Sequence, residues 1–356
     1  MAYTSGFSLS DYSQILNQIR TFAVSNGYTQ EHWDTSGGIN DTWLCLSKGG
    51  VYYHFWTQYS TLIASSVGTG GYYYIYMKMA TGLDTGANPW QQPGTWASTY
   101  NDLRNGTVLN LCGAGTVQKY HIFMDDEEIT VSFLTAEGWW RHLGFGVATD
   151  IYDTSLVGSA DGAYVWGGYI AAASNSFVGD ANSGKHYTFL DKGSDSYQSF
   201  DRGGGVIRFD IDSTPQYHHG GIGSYLGTSS LSDPTGGDCS NGMLQAPATI
   251  SGFYGSAIEN MTLVRGANRF GLLSYLQPIN VYITRLTNRF FLAGRLAHIR
   301  AINMEFYTAE QEVTVGSDTW VVFPLAVQSN VENWWTTYAE AAVNTWIYGF
   351  VVKKTV

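Results

Sequence analysis

Val51-Tyr-Tyr-His-Phe-Trp56 is a nearly continuous apolar and aromatic run. A strand with one wet face alternates polar and apolar residues, so a short run without that alternation reads as a strand covered on both faces. It belongs in a core or at an interface, and it sets the expectation for its surroundings: sheets packed on other structure. Short β-type runs recur around it, at residues 42–47, 51–58, 72–79, 116–124 and 129–135, separated by glycine-rich or polar turns.

Upstream the period changes. Tyr12, Ile15, Leu16, Ile19, Phe22 and Ala23 recur at helical spacing, which predicts an amphipathic helix over residues 11–26 with its apolar face laid on the first sheet. Ser8 or Ser10 is placed to cap its start, and Gly27 to follow its end, where a left-handed residue closes a helix. Residues 28–34 then begin extended structure.

Composition agrees with sheets. The chain has 356 residues, 15% aromatic and 13% charged, with 42 glycines, and the charged share is about half the usual one. Aromatic side chains suit pleated surfaces and interfaces, and glycine supplies the turns and bulges between short strands. With 44% hydrophobic residues the chain is expected to fold without a cofactor. A formal net charge of -11, with 18 Lys and Arg, argues against wrapping nucleic acid as the main task. Lys353 and Lys354 form the one obvious basic pair and read as a solvated tail. The N-terminal residues show neither a positive nor an apolar signal region, and no run approaches membrane length, so neither secretion nor membrane insertion is expected. Cys45, Cys112 and Cys239 lack metal or disulfide spacing and read as reduced thiols.

The expected fold is therefore mainly β: antiparallel sheets, sandwich or barrel-like, with an N-terminal amphipathic helix. Three regions are expected: the helix plus a β domain over residues 1–172, a glycine-rich, loop-dominated middle over 173–280, and a C-terminal β domain over 281–356. The long stretch between Met79 and Val117 reads as a loop that is functional or ordered by a partner. A strand is expected at residues 206–211, another β run at 290–303, a hairpin at 312–323 turning at Gly316-Ser-Asp318, a short helix at 332–344 and a terminal strand at 345–354.

The order of a capped N-terminal helix, the aromatic hairpin around Tyr52, Trp140-Arg-His-Leu-Gly-Phe-Gly146, Leu296-Ala-His-Ile-Arg-Ala-Ile-Asn303 and Gly316-Ser-Asp-Thr-Trp-Val-Val-Phe-Pro324 resembles bacteriophage tail and baseplate structural proteins. The resemblance touches both ends and the middle of the chain. It implies a virion protein made in the host cytoplasm, a homo-oligomer in a symmetric ring or trimer, and other tail or baseplate proteins as partners. It carries over no catalytic residue.

Clusters with possible chemistry are few. Asp125-Asp-Glu-Glu128 offers hard oxygens for calcium, but it lacks EF-hand spacing and reads first as a solvated hairpin turn. His218-His219 would point to opposite faces if extended, so it reads as polar loop rather than a metal site. His32, His54, His121, His142, His186 and His298 sit beside aromatics and read as packed or hydrogen-bonded. A polysaccharide hydrolase needs a carboxylate pair, yet Asp84, Asp102, Asp153, Asp161, Glu137 and Asp201 all qualify and nothing singles out two. No catalytic, cofactor or metal residue is therefore assigned, and no enzyme is expected. Trp90, Trp96, Trp139 and Trp140 near glycine-rich loops, and Trp334-Trp335, are the candidate interface or glycan contacts, the latter implying a host-surface glycan as partner in host attachment.

Overall fold

The computed structural model describes residues 2–37, 41–60, 72–94, 108–112, 116–136, 138, 140–148, 150–151, 162–167, 205–211, 214–219, 276–284, 290–303, 307–324 and 348–354. In chain order these form β1 (Ala2–Leu9), α1 (Ser13–Ser25), β2 (Thr29–Asp34), β3 (Trp43–Lys48), β4 (Val51–Ser60), β5 (Tyr72–Ala80) and β6 (Val108–Cys112). Next come β7 (Val117–Asp125), β8 (Glu128–Thr135), β9 (Trp140–Val147), β10 (Asp150–Ile151), β11 (Ala163–Trp166), β12 (Gly205–Ile211) and β13 (Thr214–His219). The last are β14 (Gln277–Thr284), β15 (Phe290–Asn303), β16 (Glu312–Val315), β17 (Asp318–Pro324) and β18 (Tyr348–Lys354). The fold is mainly β with one N-terminal helix, as the composition implied.

Three antiparallel sheets result. The first runs β1-β7-β8-β9-β11-β12-β13, the second is the meander β2-β3-β4-β5-β6, and the third runs β10-β15-β18-β17-β16 with β14 also on β15. The described pairings leave β1 and β13 as open edges of the first sheet, so the layers are sandwich-like rather than a closed barrel. The middle region adds β12 and β13 to the first sheet, and Asp150 and Ile151 pair with Arg295 and Gly294 inside the third. The regions 1–172 and 281–356 are thereby joined by backbone pairing.

Period-two alternation on β8 explains the layering. Ile129, Val131 and Phe133 point to one side, where they share a core with Leu143 and Phe145 of β9, with Leu44, Tyr53, Phe55 and Ile75 of the second sheet, and with Ile15, Leu16, Ile19 and Phe22 of α1. Glu128, Thr130 and Ser132 point to the other side, yet they too are buried, because the third sheet covers that face. The Val51 run lies on β4, the central strand of the second sheet. Tyr53 and Phe55 face the core, while His54 and Trp56 are buried on the opposite side, against the turn at residues 81–94.

The helix ends where the sequence places it, by different means at its start. Asp11, rather than Ser8 or Ser10, accepts from the Gln14 amide, at 3.1 Å, and from the Ser13 hydroxyl. Ser10 instead exchanges two bonds with the Gln14 side chain, and Ser8 sits in β1 with φ 56°. At the other end Tyr28 N–H reaches Ala23 O and Gly27 N–H reaches Val24 O, with Gly27 at φ 92°, which is the Schellman closure that glycine favours.

Several strands lie where the sequence suggested loop or nothing, β1, β6 and β13 among them. β1 has little apolar alternation, β6 falls inside the stretch taken as a long loop, and β13 carries His218 and His219 opposite Ile207 and Val206. β1 is drawn into a ladder by β7, far along the chain, β6 by the preceding β5 and β13 by the preceding β12, and this pairing outweighs weak local propensity. The hairpin of β16 and β17 turns at Gly316, φ 64°, as expected. The helix expected at residues 332–344 lies outside the described residues.

Candidate functional site

The face of the first sheet that meets the third holds a row of buried polar side chains. His121, Ser132 and His142 stand directly opposite one another across β7, β8 and β9. Each histidine reaches out of the sheet. His142 Nε2 donates to the Pro324 carbonyl of β17 at 2.8 Å, which leaves Nδ1 to accept from the Ser132 hydroxyl at 2.9 Å. His121 Nε2 lies 2.7 Å from Glu310, which also takes Lys119 at 2.7 Å, and Tyr3 donates to His121 Nδ1.

A third connection runs the opposite way. His298 of β15 bonds through Nδ1 to the Glu128 carboxylate and through Nε2 to the Thr130 hydroxyl. Tyr164 of β11 adds its hydroxyl to the same carboxylate at 3.3 Å. Burial first, and the Glu128 charge second, push the Tyr164 hydroxyl pKa well up, so it stays a donor. Hydroxyl, imidazole and carboxylate in this order can activate a nucleophile. Here Thr130, His298 and Glu128 are all fully buried, so no reactant reaches the hydroxyl in this conformation, and the three groups fasten one sheet to another.

The acidic turn is solvated at its tip alone. Asp126 is exposed and takes φ 51° in a two-residue turn between β7 and β8, while Asp125 and Glu128 on either side are buried. Tyr28 donates to the Glu127 carbonyl at 2.7 Å, Glu128 is enclosed, and Asp125 Oδ1 is buried with no partner among the described residues. Burial, then the neighbouring Asp126 charge, raises the Asp125 carboxyl pKa. No group of three His, Cys, Asp or Glu among the described residues is arranged to hold a metal ion.

A separate aromatic cluster lies on the outer face of the second sheet. Trp56 stacks on Tyr76 with ring centroids 5.2 Å apart, and the half-buried Trp90 approaches Trp56 at 5.9 Å. Lys78 donates to the Trp90 carbonyl at 3.1 Å and Gln92 braces the same turn on Asp84. Trp140, by contrast, is 5% exposed on β9 and packs on Phe323 of the third sheet. Trp96, Trp139, Trp334 and Trp335 lie outside the described residues, as do Asp102, Glu137, Asp153, Asp161, Asp201 and His186. No protein-family model matches this sequence, and no curated protein is significantly similar to it. Among the described residues no helix is long and apolar enough to cross a membrane.

Two solution properties follow from these burials. His142 has its pKa lowered to about 3 and His54 to about 4, both mainly by burial, so the folded chain holds them neutral. The unfolded chain protonates them near their ordinary value of 6.5. The stability they contribute is thus complete above that value and is lost as pH falls toward 4, by about 1 kcal/mol per pH unit for each. Urea midpoints are expected to be lower at pH 5 than at pH 7, with a shallower dependence in His142→Gln. Cys45 is buried and its thiol pKa is pushed up to about 12, chiefly by burial. Iodoacetamide should leave Cys45 unmodified in the folded chain and label it only after denaturation, as read by peptide mass mapping.

Proposed function

We propose that this chain is a structural component of a bacteriophage tail or baseplate, assembling with copies of itself and with neighbouring tail proteins, and that it catalyses no reaction. The observation that carries the structural part is the closure of the buried histidines. His121, His142 and His298 each join the first sheet to the third or its flanking turn, and His142 and His298 do so through buried partners. Chemistry that an enzyme would present to a substrate is here bound into the layers. The phage assignment rests on the resemblance of the five segments between the N-terminal helix and Pro324.

Such a protein makes its living by contact. The purified full chain is expected to self-associate with rising concentration and to bind other tail proteins in pull-downs. A strict monomer with no affinity for any tail protein would count against the proposal. One observation favours a second candidate, a glycan-binding tail appendage: Trp90 is only half-buried beside the Trp56–Tyr76 stack, an arrangement in which an aromatic face can meet a sugar ring. Glycan-array binding that disappears in Trp90→Ala would promote it over assembly alone.

A further inference from the structure

The edges of the three sheets are not alike. An edge strand exposes a row of unpaired N–H and C=O groups, and chains blunt such edges with charge, proline or brevity. β2 carries Glu31 and Asp34, β13 carries Pro215, β14 carries Pro278, β16 has four residues including Glu312, and β10 has two. β6 is five residues long. β1 has none of these defences: eight residues, Ala-Tyr-Thr-Ser-Gly-Phe-Ser-Leu, without charge or proline, paired among the described strands with β7 alone. Its Phe7 is 68% exposed.

We infer that β1 pairs edge to edge with β1 of a second copy of this chain, antiparallel about a two-fold axis at Ser5, so that two first sheets become one. This rests on the proposed self-assembly and names its surface. Charge selects the occupant. A chain of net charge -11 repels its own copies over most of its surface, but this edge is neutral, because the two lysines beside it are paired, Lys119 with Glu310 at 2.7 Å and Lys354 with Glu312 at 2.6 Å. Lys119 Nζ lies 5.4 Å from the Phe7 ring centroid and Lys354 Nζ 4.7 Å from that of Tyr3.

Register follows from the pleat. Residues directly opposite in an antiparallel pair share a face, and Tyr3, Ser5 and Phe7 share the face of β1 that continues Phe123, His121 and Lys119 of β7. An axis at Ser5 sets Tyr3 against Phe7 of the second copy, Phe7 against its Tyr3, and Ser5 against its Ser5. Both aromatics gain a cross-strand partner and the exposed ring is covered. About this axis seven residues pair, Ala2 to Ser8, which falls short of the ~800 Å² per partner of a standard stable interface, so the contact is weak in dilute solution and gains from the high local concentration within an assembly.

Sedimentation velocity of the full chain over a wide concentration range tests this. The unaltered chain is expected to form dimers. Ser5→Lys and Ser5→Glu, at an exposed position that leaves the fold intact, set like charges against each other and should each weaken dimerisation by ~10-fold or more. An equimolar mixture of the two variants should regain the original association, because lysine then faces glutamate. Variants that associate like the unaltered chain would overturn the edge pairing and leave self-assembly by another surface standing. Two weakened variants whose mixture does not recover would overturn the Ser5 axis. A chain that shows no self-association at any concentration would overturn the pairing, and detection or absence of that chain on phage particles would then decide the assembly proposal independently.

Discussion

Glu128→Ala is expected to cost about 2–6 kcal/mol of folding stability, because it leaves two buried hydrogen-bond donors unsatisfied at about 1–3 kcal/mol each. Glu128 serves His298 and Tyr164 at once, and all three are enclosed between β8, β11 and β15. Truncation leaves an imidazole N–H and a phenol without their acceptor, in a place water does not reach. His298→Ala in turn removes one donor from Glu128 and the imidazole bond from the Thr130 hydroxyl. The double variant removes both ends of the bond, so its loss should be smaller than the sum of the single losses, with a coupling of at least ~1 kcal/mol. Urea denaturation at pH 7 measures the cycle. Additive losses would mean that the pair does not join the sheets.

Gly146→Ala should be comparably damaging, at about 3 kcal/mol or more, since overpacking against backbone adds to strain at a positive φ. Gly146 lies on β9 with φ 141°, where its α-carbon abuts the β7–β8 turn. A Cβ there would strike the Glu127 carbonyl oxygen and come within 2.9 Å of Glu128 Cα. Backbone cannot swing aside as a side chain does. The displaced turn is also the one that Tyr28 and the Val147 amide hold through the same Glu127 carbonyl, and Tyr53 donates to the Gly146 carbonyl at 2.9 Å. As a control, Gly50→Ala meets no atom within 4 Å and suffers only its own φ of 81°, so its loss should be about 1 kcal/mol. Equal thermal midpoints for the two variants would contradict the close approach at Gly146.

Much of the fold is written locally. The helix and its glycine closure, the covered run at Val51, the β16–β17 hairpin and the 14-residue strand Phe290–Asn303 all follow from period, turn residues and length. What stays illegible depends on partners far along the chain. On β8 the alternation of Ile129, Val131 and Phe133 with Glu128, Thr130 and Ser132 is plain, but a polar face ordinarily meets water. Nothing near it announces that a sheet built from residues 277–354 and Asp150–Ile151 will cover it. His298 sits in an apolar strand and reads as packed, which is correct, while its carboxylate lies 170 positions away. Trp140 illustrates the same limit in reverse: beside glycines it looked like a contact aromatic, and pairing of β9 with β8 and β11 carries it inside, onto Phe323.

Strand β1 shows why weak patterns matter at edges. Serine, glycine and threonine between Tyr3 and Phe7 give no period strong enough to declare a strand, and the segment is held by β7 and by Tyr3 packing on His121 and Phe123. A strand so lightly marked can lie at an edge without a deep core of its own.

The proposal that this is a tail or baseplate component is tested most directly by labelling intact phage particles with antibody against this chain and locating the label by electron microscopy. The expected result is label at a fixed, repeated position on the tail. Particles that carry none of it, with the chain recovered free in the lysate, would contradict the proposal.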